Sequence, residues 1–139
     1  MTPQQFEAAF LAQTAFRLAL SDNVDELIAV ASVIRNWVIP KPGRIAQYHS
    51  YPQACIDFLK TYPVRDFPNM TEDCLVSPNG LLSVIDSIWD CAYPDLTATQ
   101  TTPGAMYFGR SAAIDESDWR FGLIRSRPVL ATFGAQQFW

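Results

Sequence analysis

Apolar positions recur at helical spacing through roughly the first two thirds of the chain, and the texture then changes. From Pro3 to about Leu20, Phe6, Phe10 and Arg17, with Ala9, Gln13 and Phe16, form a loosely amphipathic pattern. Pro3 suits a first helical turn, where its missing N–H costs nothing. The clearest helix follows Ser21-Asp22-Asn23. Asp22 or Asn23 can cap it, and Asp25 and Glu26 suit its first turn as solvated acids. Leu27, Val30, Ala31, Ile34 and Val38 repeat along one face, while Ile28, Ala29 and Val33 widen the stripe. Such a helix is buried on most sides. Pro40 and Pro42-Gly43 end it.

Ser50-Tyr51-Pro52 opens a shorter helix to about Lys60, with Ile56 and Leu59 expected inward. Thr61 to Pro78 reads as an irregular loop. Ser77-Pro78-Asn79-Gly80 then starts a helix whose apolar face is Leu81, Val84, Ile85, Ile88 and Trp89, stopped by Pro94. Beyond the polar stretch Thr97–Thr102, three short strands are expected: Gly104–Gly109, Trp119–Ile124 and Val129–Phe133. Helices followed by a small antiparallel sheet in the C-terminal third predict an α+β fold, mainly helical. No repeat or linker divides residues 1–139, so one domain is expected.

Composition narrows the function. A chain of 139 residues can bury a real hydrophobic core without a metal or disulfide. Only 17% of residues are charged, below the usual quarter, which suggests that a partner covers part of the surface. The net charge is −4 and the basic residues are scattered, apart from Arg120, Arg125 and Arg127. Nucleic acid, which calls for a basic face, is excluded as a partner. Cys55, Cys74 and Cys91 form no close pair, and His49 is the only histidine. No metal and no cofactor is therefore expected, and buried free thiols are the simplest account of the cysteines, although one bridge remains open. Met1–Phe10 lacks the features of a signal peptide and no run approaches a membrane span. The expectation is synthesis in the cytoplasm, with delivery to a cell wall or incorporation in a virion left to other proteins.

Two stretches resemble the bacterial and phage cell-wall hydrolase family that includes spore-cortex lytic enzymes. Ala29-Val-Ala-Ser-Val-Ile-Arg-Asn-Trp-Val38 is similar to a family helix reading roughly A-V-A-x-V-I-x-N-R-V. Pro103-Gly-Ala-Met-Tyr-Phe108 is similar to the family's G-A-L-Y-F, Trp119 to a following Trp, and Phe133-Gly-Ala-Gln-Gln-Phe138 to a closing I-G-x-H-x-F. Leu81–Cys91 followed by Pro94-Asp95 falls in order between them. The resemblance covers about half the chain. It implies a lysozyme-like fold and a lytic transglycosylase acting on peptidoglycan, with Asn36, Tyr107, Trp119 and Gln136 as substrate-binding positions.

The resemblance breaks where the chemistry is done. The family's catalytic Glu opens a segment like E-A-R-G-E, which aligns with Leu18-Ala19-Leu20-Ser21-Asp22. Cleaving a glycosidic bond needs a proton donor at the leaving oxygen, and Leu18 cannot donate one. Trp37 replaces the motif's Arg, and Gln136 replaces its His. Asp22 is the nearest replacement acid, although a helix start lowers an acid's pKa rather than raising it. The Asp115-Glu116-Ser117-Asp118 cluster beside Trp119 offers other carboxylates. The expected function is a catalytically degenerate, peptidoglycan-hydrolase-like domain. It would serve as a glycan-binding or structural component, for example of a phage particle or injection apparatus, with a glycan strand or another protein as partner. The exposed aromatic end Phe138-Trp139 is expected to favour docking. The alternative is an active lysin-like enzyme that uses a relocated carboxylate.

Overall fold

The periodicity of the first 60 residues becomes three helices that pack on one another. A computed structural model describes residues 3–21, 23–38, 48–64 and 104–139. Helix α1 spans Pro3–Leu18, α2 Val24–Val38 and α3 Tyr51–Thr61. Each touches the other two. Leu11, Ala12 and Ala15 of α1 meet Leu27, Val30, Val33 and Ile34 of α2 and Ala54 and Cys55 of α3, all fully buried. Each large aliphatic side chain so buried contributes about 1.5–3 kcal/mol. The interleaved alanines let the helices approach closely. Two buried hydroxyls of this body are satisfied within their own helix: Thr14 Oγ1 donates to the Phe10 carbonyl and Ser32 Oγ to that of Ile28.

Caps explain where the helices begin. Asn23 Oδ1 accepts the amides of Asp25 and Glu26 at 2.9 and 3.2 Å, so Asn23 is the N-cap of α2. Ser50 caps α3 by accepting the Gln53 amide at 3.3 Å, with Pro52 in the first turn. Glu26 departs from expectation. It is 2% exposed, and its carboxylate accepts the Leu20 amide and the Ser21 hydroxyl, locking the turn between α1 and α2. Ile56, expected inward, is 47% exposed, because α3 turns Ala54, Cys55 and Phe58 to the core instead.

The C-terminal region is a small lobe of short pieces. Strand β1 is Phe108–Gly109, a 3-10 turn follows at Ser111–Ala113, and α4 is Phe121–Ile124. Strand β2 is Ala131–Phe133 and β3 is Gln136–Phe138. The sheet order is β1-β3-β2, all antiparallel, with Phe108 opposite Phe138 and Phe133 opposite Gln136. The β2–β3 hairpin closes through Gly134-Ala135, where Gly134 takes φ +59°; glycine supplies that left-handed backbone without strain. Four α-helices and a three-stranded sheet among the described residues make the protein α+β and mainly helical.

Three details of the lobe differ from the sequence reading. Only the end of Gly104–Gly109 pairs as a strand, Trp119–Ile124 holds a helical turn rather than a strand, and the closing Gln136–Phe138 is the central strand. Phe138 and Trp139 are 0% and 5% exposed, so this end is built into the protein's own core and offers no docking knob. The helix expected at Leu81–Cys91, the loop before it, and Cys74 and Cys91 lie outside the described residues. Cys55 is free and buried, and burial pushes its thiol up to about 12.

Candidate functional site

Strands of two and three residues do not hold themselves in place. Side chains reaching for backbone groups fix the lobe to the body. Asn36 Nδ2 donates to the Ala105 carbonyl at 2.8 Å, and Trp37 Nε1 to the Met106 carbonyl at 2.8 Å. Within the lobe itself Arg120 is buried and braces the strand, its Nη1 donating to the Phe108 carbonyl at 2.6 Å. Its Nε and Nη2 grip the two oxygens of Asp118 at 3.0 and 2.8 Å. The guanidinium lies 5.0 Å from the centre of the Tyr62 ring. Gly109 makes room for this clamp, since a Cβ there would stand 2.5 Å from Arg120 Nη1.

Where body and lobe meet, three concavities run side by side, and Tyr62 borders all of them. The first is an aromatic cavity of about 210 Å³ between Trp37, Tyr48, Tyr107 and Trp119, with Asp57 in its wall. The second, about 470 Å³, is polar and contains Asp115, Ser117 and Asp118 beside Trp119. The third, about 250 Å³, is lined by Leu18, Leu20, Phe108 and Gln136 with Arg110 and Arg120. Together they form a trough along one side of the molecule, with Trp119 standing half exposed over it.

The trough's carboxylates are all occupied as acceptors. Asp118 is held below the usual carboxylate range, chiefly by its hydrogen bonds to Arg120. Asp115 is also lowered, chiefly by the Ser117 hydroxyl and then its amide, although it is fully exposed. Asp57 Oδ2 accepts the Tyr48 hydroxyl, and the Tyr48 pKa rises to about 12 through burial first and this carboxylate second. Burial likewise drives Tyr62 strongly upward, and its hydroxyl has no partner within hydrogen-bonding geometry.

The positions singled out in the sequence separate accordingly. Leu18 and Gln136 come together in the third concavity, where Gln136 Nε2 reaches the Leu18 carbonyl at 3.4 Å. No carboxylate lines that concavity among the described residues. Tyr107 and Trp119 line the aromatic cavity. Asn36 lines none of the three; it is 2% exposed and fastens the lobe through Ala105. Asp22 lies outside the described residues, and the cap it was offered for is made by Asn23.

Four residues of the trough carried no sequence signal of their own: Tyr48, Asp57, Tyr62 and Arg120. Asp57 and Phe58 sit on adjacent sides of α3 with Thr61 one turn further on. A helical wheel of α3 could have shown an acid flanking the aromatic face, but not that the lobe would close over it.

Among the described residues, no three His, Cys, Asp or Glu side chains gather as a metal site, and no helix is long and apolar enough to cross a membrane. No protein-family model, curated protein or solved structure matches this chain.

Proposed function

We propose that this protein is a non-catalytic domain of the peptidoglycan-hydrolase type, whose trough holds a glycan strand without cutting it, as one component of a larger assembly such as a phage particle. The observation that carries this reading is the concavity around Leu18. It has the residue at the expected acid position, the residue at the expected His position, and two arginines, but among the described residues no proton donor of carboxylic type. Beside it stands Trp119, whose exposed indole and the neighbouring Tyr107 suit the C–H faces of sugar rings.

The rival reading, an enzyme with a relocated acid, has Asp115 and Asp118 as its nearest described candidates. A general acid working near neutral pH needs a raised pKa. Both carboxylates are shifted the other way. Asp118 is also tied into the clamp that holds the lobe.

The test is a co-sedimentation and turbidity experiment on purified peptidoglycan. The unmodified protein is expected to sediment with the wall material and leave its turbidity unchanged, and Trp119→Ala to lose most of the sedimentation while remaining folded. Clearing by the unmodified protein would establish an enzyme instead. Absence of both clearing and sedimentation would leave the domain without a glycan role. Leu18→Glu places a carboxyl in a concavity shared with apolar Leu20 and Phe108 and is expected to produce measurable clearing. If it produces none while binding is intact, the trough does not align a glycosidic bond with position 18.

A further inference from the structure

The aromatic end of the trough has a geometry that the glycan reading does not use. Its rings meet as walls. Tyr62 and Trp119 lie at 88° with centres 5.3 Å apart, Tyr107 and Trp119 at 68° and 6.2 Å, and Trp37 and Tyr107 at 70° and 6.0 Å. These edge-to-face contacts gather electron-rich rings around one small cavity, and such rings attract an organic cation. Asp57 stands in the same wall, and no Lys or Arg lines the cavity among the described residues. The protein's own guanidiniums already lie against two of these rings, Arg120 over Tyr62 at 5.0 Å and Arg127 over Tyr107 at 5.2 Å. Neither arginine lines the cavity.

Size selects the ligand class further. The space of about 210 Å³, open on one side, falls below the roughly 300–1,000 Å³ of sites for drug-sized ligands. A headgroup of a few heavy atoms fits it. Trp37 and Trp119 donate their indole N–H groups to protein carbonyls, of Met106 and Thr61. Among the described residues the cavity wall thus combines aromatic rings with one carboxylate, and both indole donors are already engaged.

We propose that the cavity between Trp37, Tyr48, Tyr107 and Trp119 is a binding site for an alkylated ammonium group, with Asp57 supplying the opposite charge. The site takes the cationic headgroup of a larger molecule, its methyl collar against the rings and its charge toward the carboxylate. The site shares Trp119 and Tyr107 with the glycan reading but does not rest on it, since recognition of the charge uses Asp57 and not the concavity around Leu18.

Choline and its uncharged carbon isostere, 3,3-dimethyl-1-butanol, separate charge from shape. The two indole N–H signals of Trp37 and Trp119 in a nitrogen-15 correlation spectrum of the full chain are the readout. Choline is expected to shift both signals saturably, and the isostere to need about tenfold more ligand, the factor that a cation–π and charge contribution of this kind supplies. Asp57→Asn keeps an acceptor for the Tyr48 hydroxyl and is expected to weaken choline severalfold while leaving the isostere unchanged. Equal affinity for choline and the isostere would overturn the proposal, as would the absence of any saturable shift in the unmodified protein. So would choline binding that Asp57→Asn leaves intact. Peptidoglycan co-sedimentation is read separately, so each reading can fail alone.

Discussion

The helical body and the C-terminal lobe are held together by different physics. In the body, α1, α2 and α3 bury a continuous apolar face, and their polar side chains bond locally, as Thr14 and Ser32 do. Any sequence with suitable periodicity and volume would make a similar body. The lobe adds directed bonds to the apolar contacts of Phe108 and Phe138: Asn36 to Ala105 and Trp37 to Met106 cross from the body, and the Arg120 clamp on Phe108 and Asp118 braces the lobe internally. An aromatic run from Phe58 through Tyr62 and Phe108 to Phe138 joins the two. The trough lies along this junction. A rigid generic body thus carries a lobe whose position is set by single residues, and the shape of the site depends on those residues.

Perturbing each region separately tests this contrast. Leu27→Ala opens a cavity in the body at a fully buried position and should cost about 4 kcal/mol, near the upper part of the range for such truncations. Urea unfolding should show one cooperative transition at a lower midpoint. Arg120→Ala should cost about 3 kcal/mol, because it strips the Phe108 carbonyl and Asp118 of their partner. Its effect should be local, with amide exchange accelerating across 104–139 more than in α1 and α2. Uniform acceleration would show that body and lobe unfold as one unit and that the contrast is wrong.

Asn36→Ala leaves the buried Ala105 carbonyl without this donor and should cost about 2 kcal/mol. If Asn36 instead met ligand directly, stability would hold and binding would fall. Asp118→Asn is the smallest change, about 1.5 kcal/mol at neutral pH, since Asn retains an acceptor for Arg120. Its pH dependence has a definite sign. The folded pKa of Asp118 is lowered, so its contribution is complete above the ordinary carboxylate value of about 3.9 and is lost as pH falls through the lower folded value. The stability gap between the unmodified protein and Asp118→Asn should therefore narrow below about pH 4, read by denaturant titrations across the acid range.

Legibility in the sequence follows the same division. The three helices were visible because a period of 3.6 repeats over enough residues to stand out, and Asn23 and Ser50 announce their starts with cap chemistry. Glu26 was misread as a solvated first-turn acid. Its position in the helix could not show that the turn at Leu20 and Ser21 folds back onto its carboxylate. The lobe was legible only as a change of texture. In Trp119–Ile124 the run of aromatic and aliphatic residues imitates a strand, yet Asp118 and Arg120 begin a helical turn there. Gln136–Phe138, with its two glutamines, gave no strand signal although it is the sheet's centre. The site divides too. Leu18, Gln136, Tyr107 and Trp119 stand at motif positions and line the concavities, whereas Tyr48, Asp57 and Tyr62 line them without any motif to mark them.

Helix periods, caps and the presence of a leucine at position 18 are local or linear properties, and the amino-acid order alone determines them. Which side chains share a wall is different. Leu18 and Gln136 are 118 positions apart and Asn36 and Ala105 are 69 apart, and their contact exists only because the lobe closes on the body. The gathering of Trp37, Tyr48, Tyr107 and Trp119 on one cavity with Asp57, and the stacking of Tyr62 on Phe108, arise at that closure. These are products of tertiary packing, because desolvation and ring geometry depend on neighbours brought from distant parts of the chain.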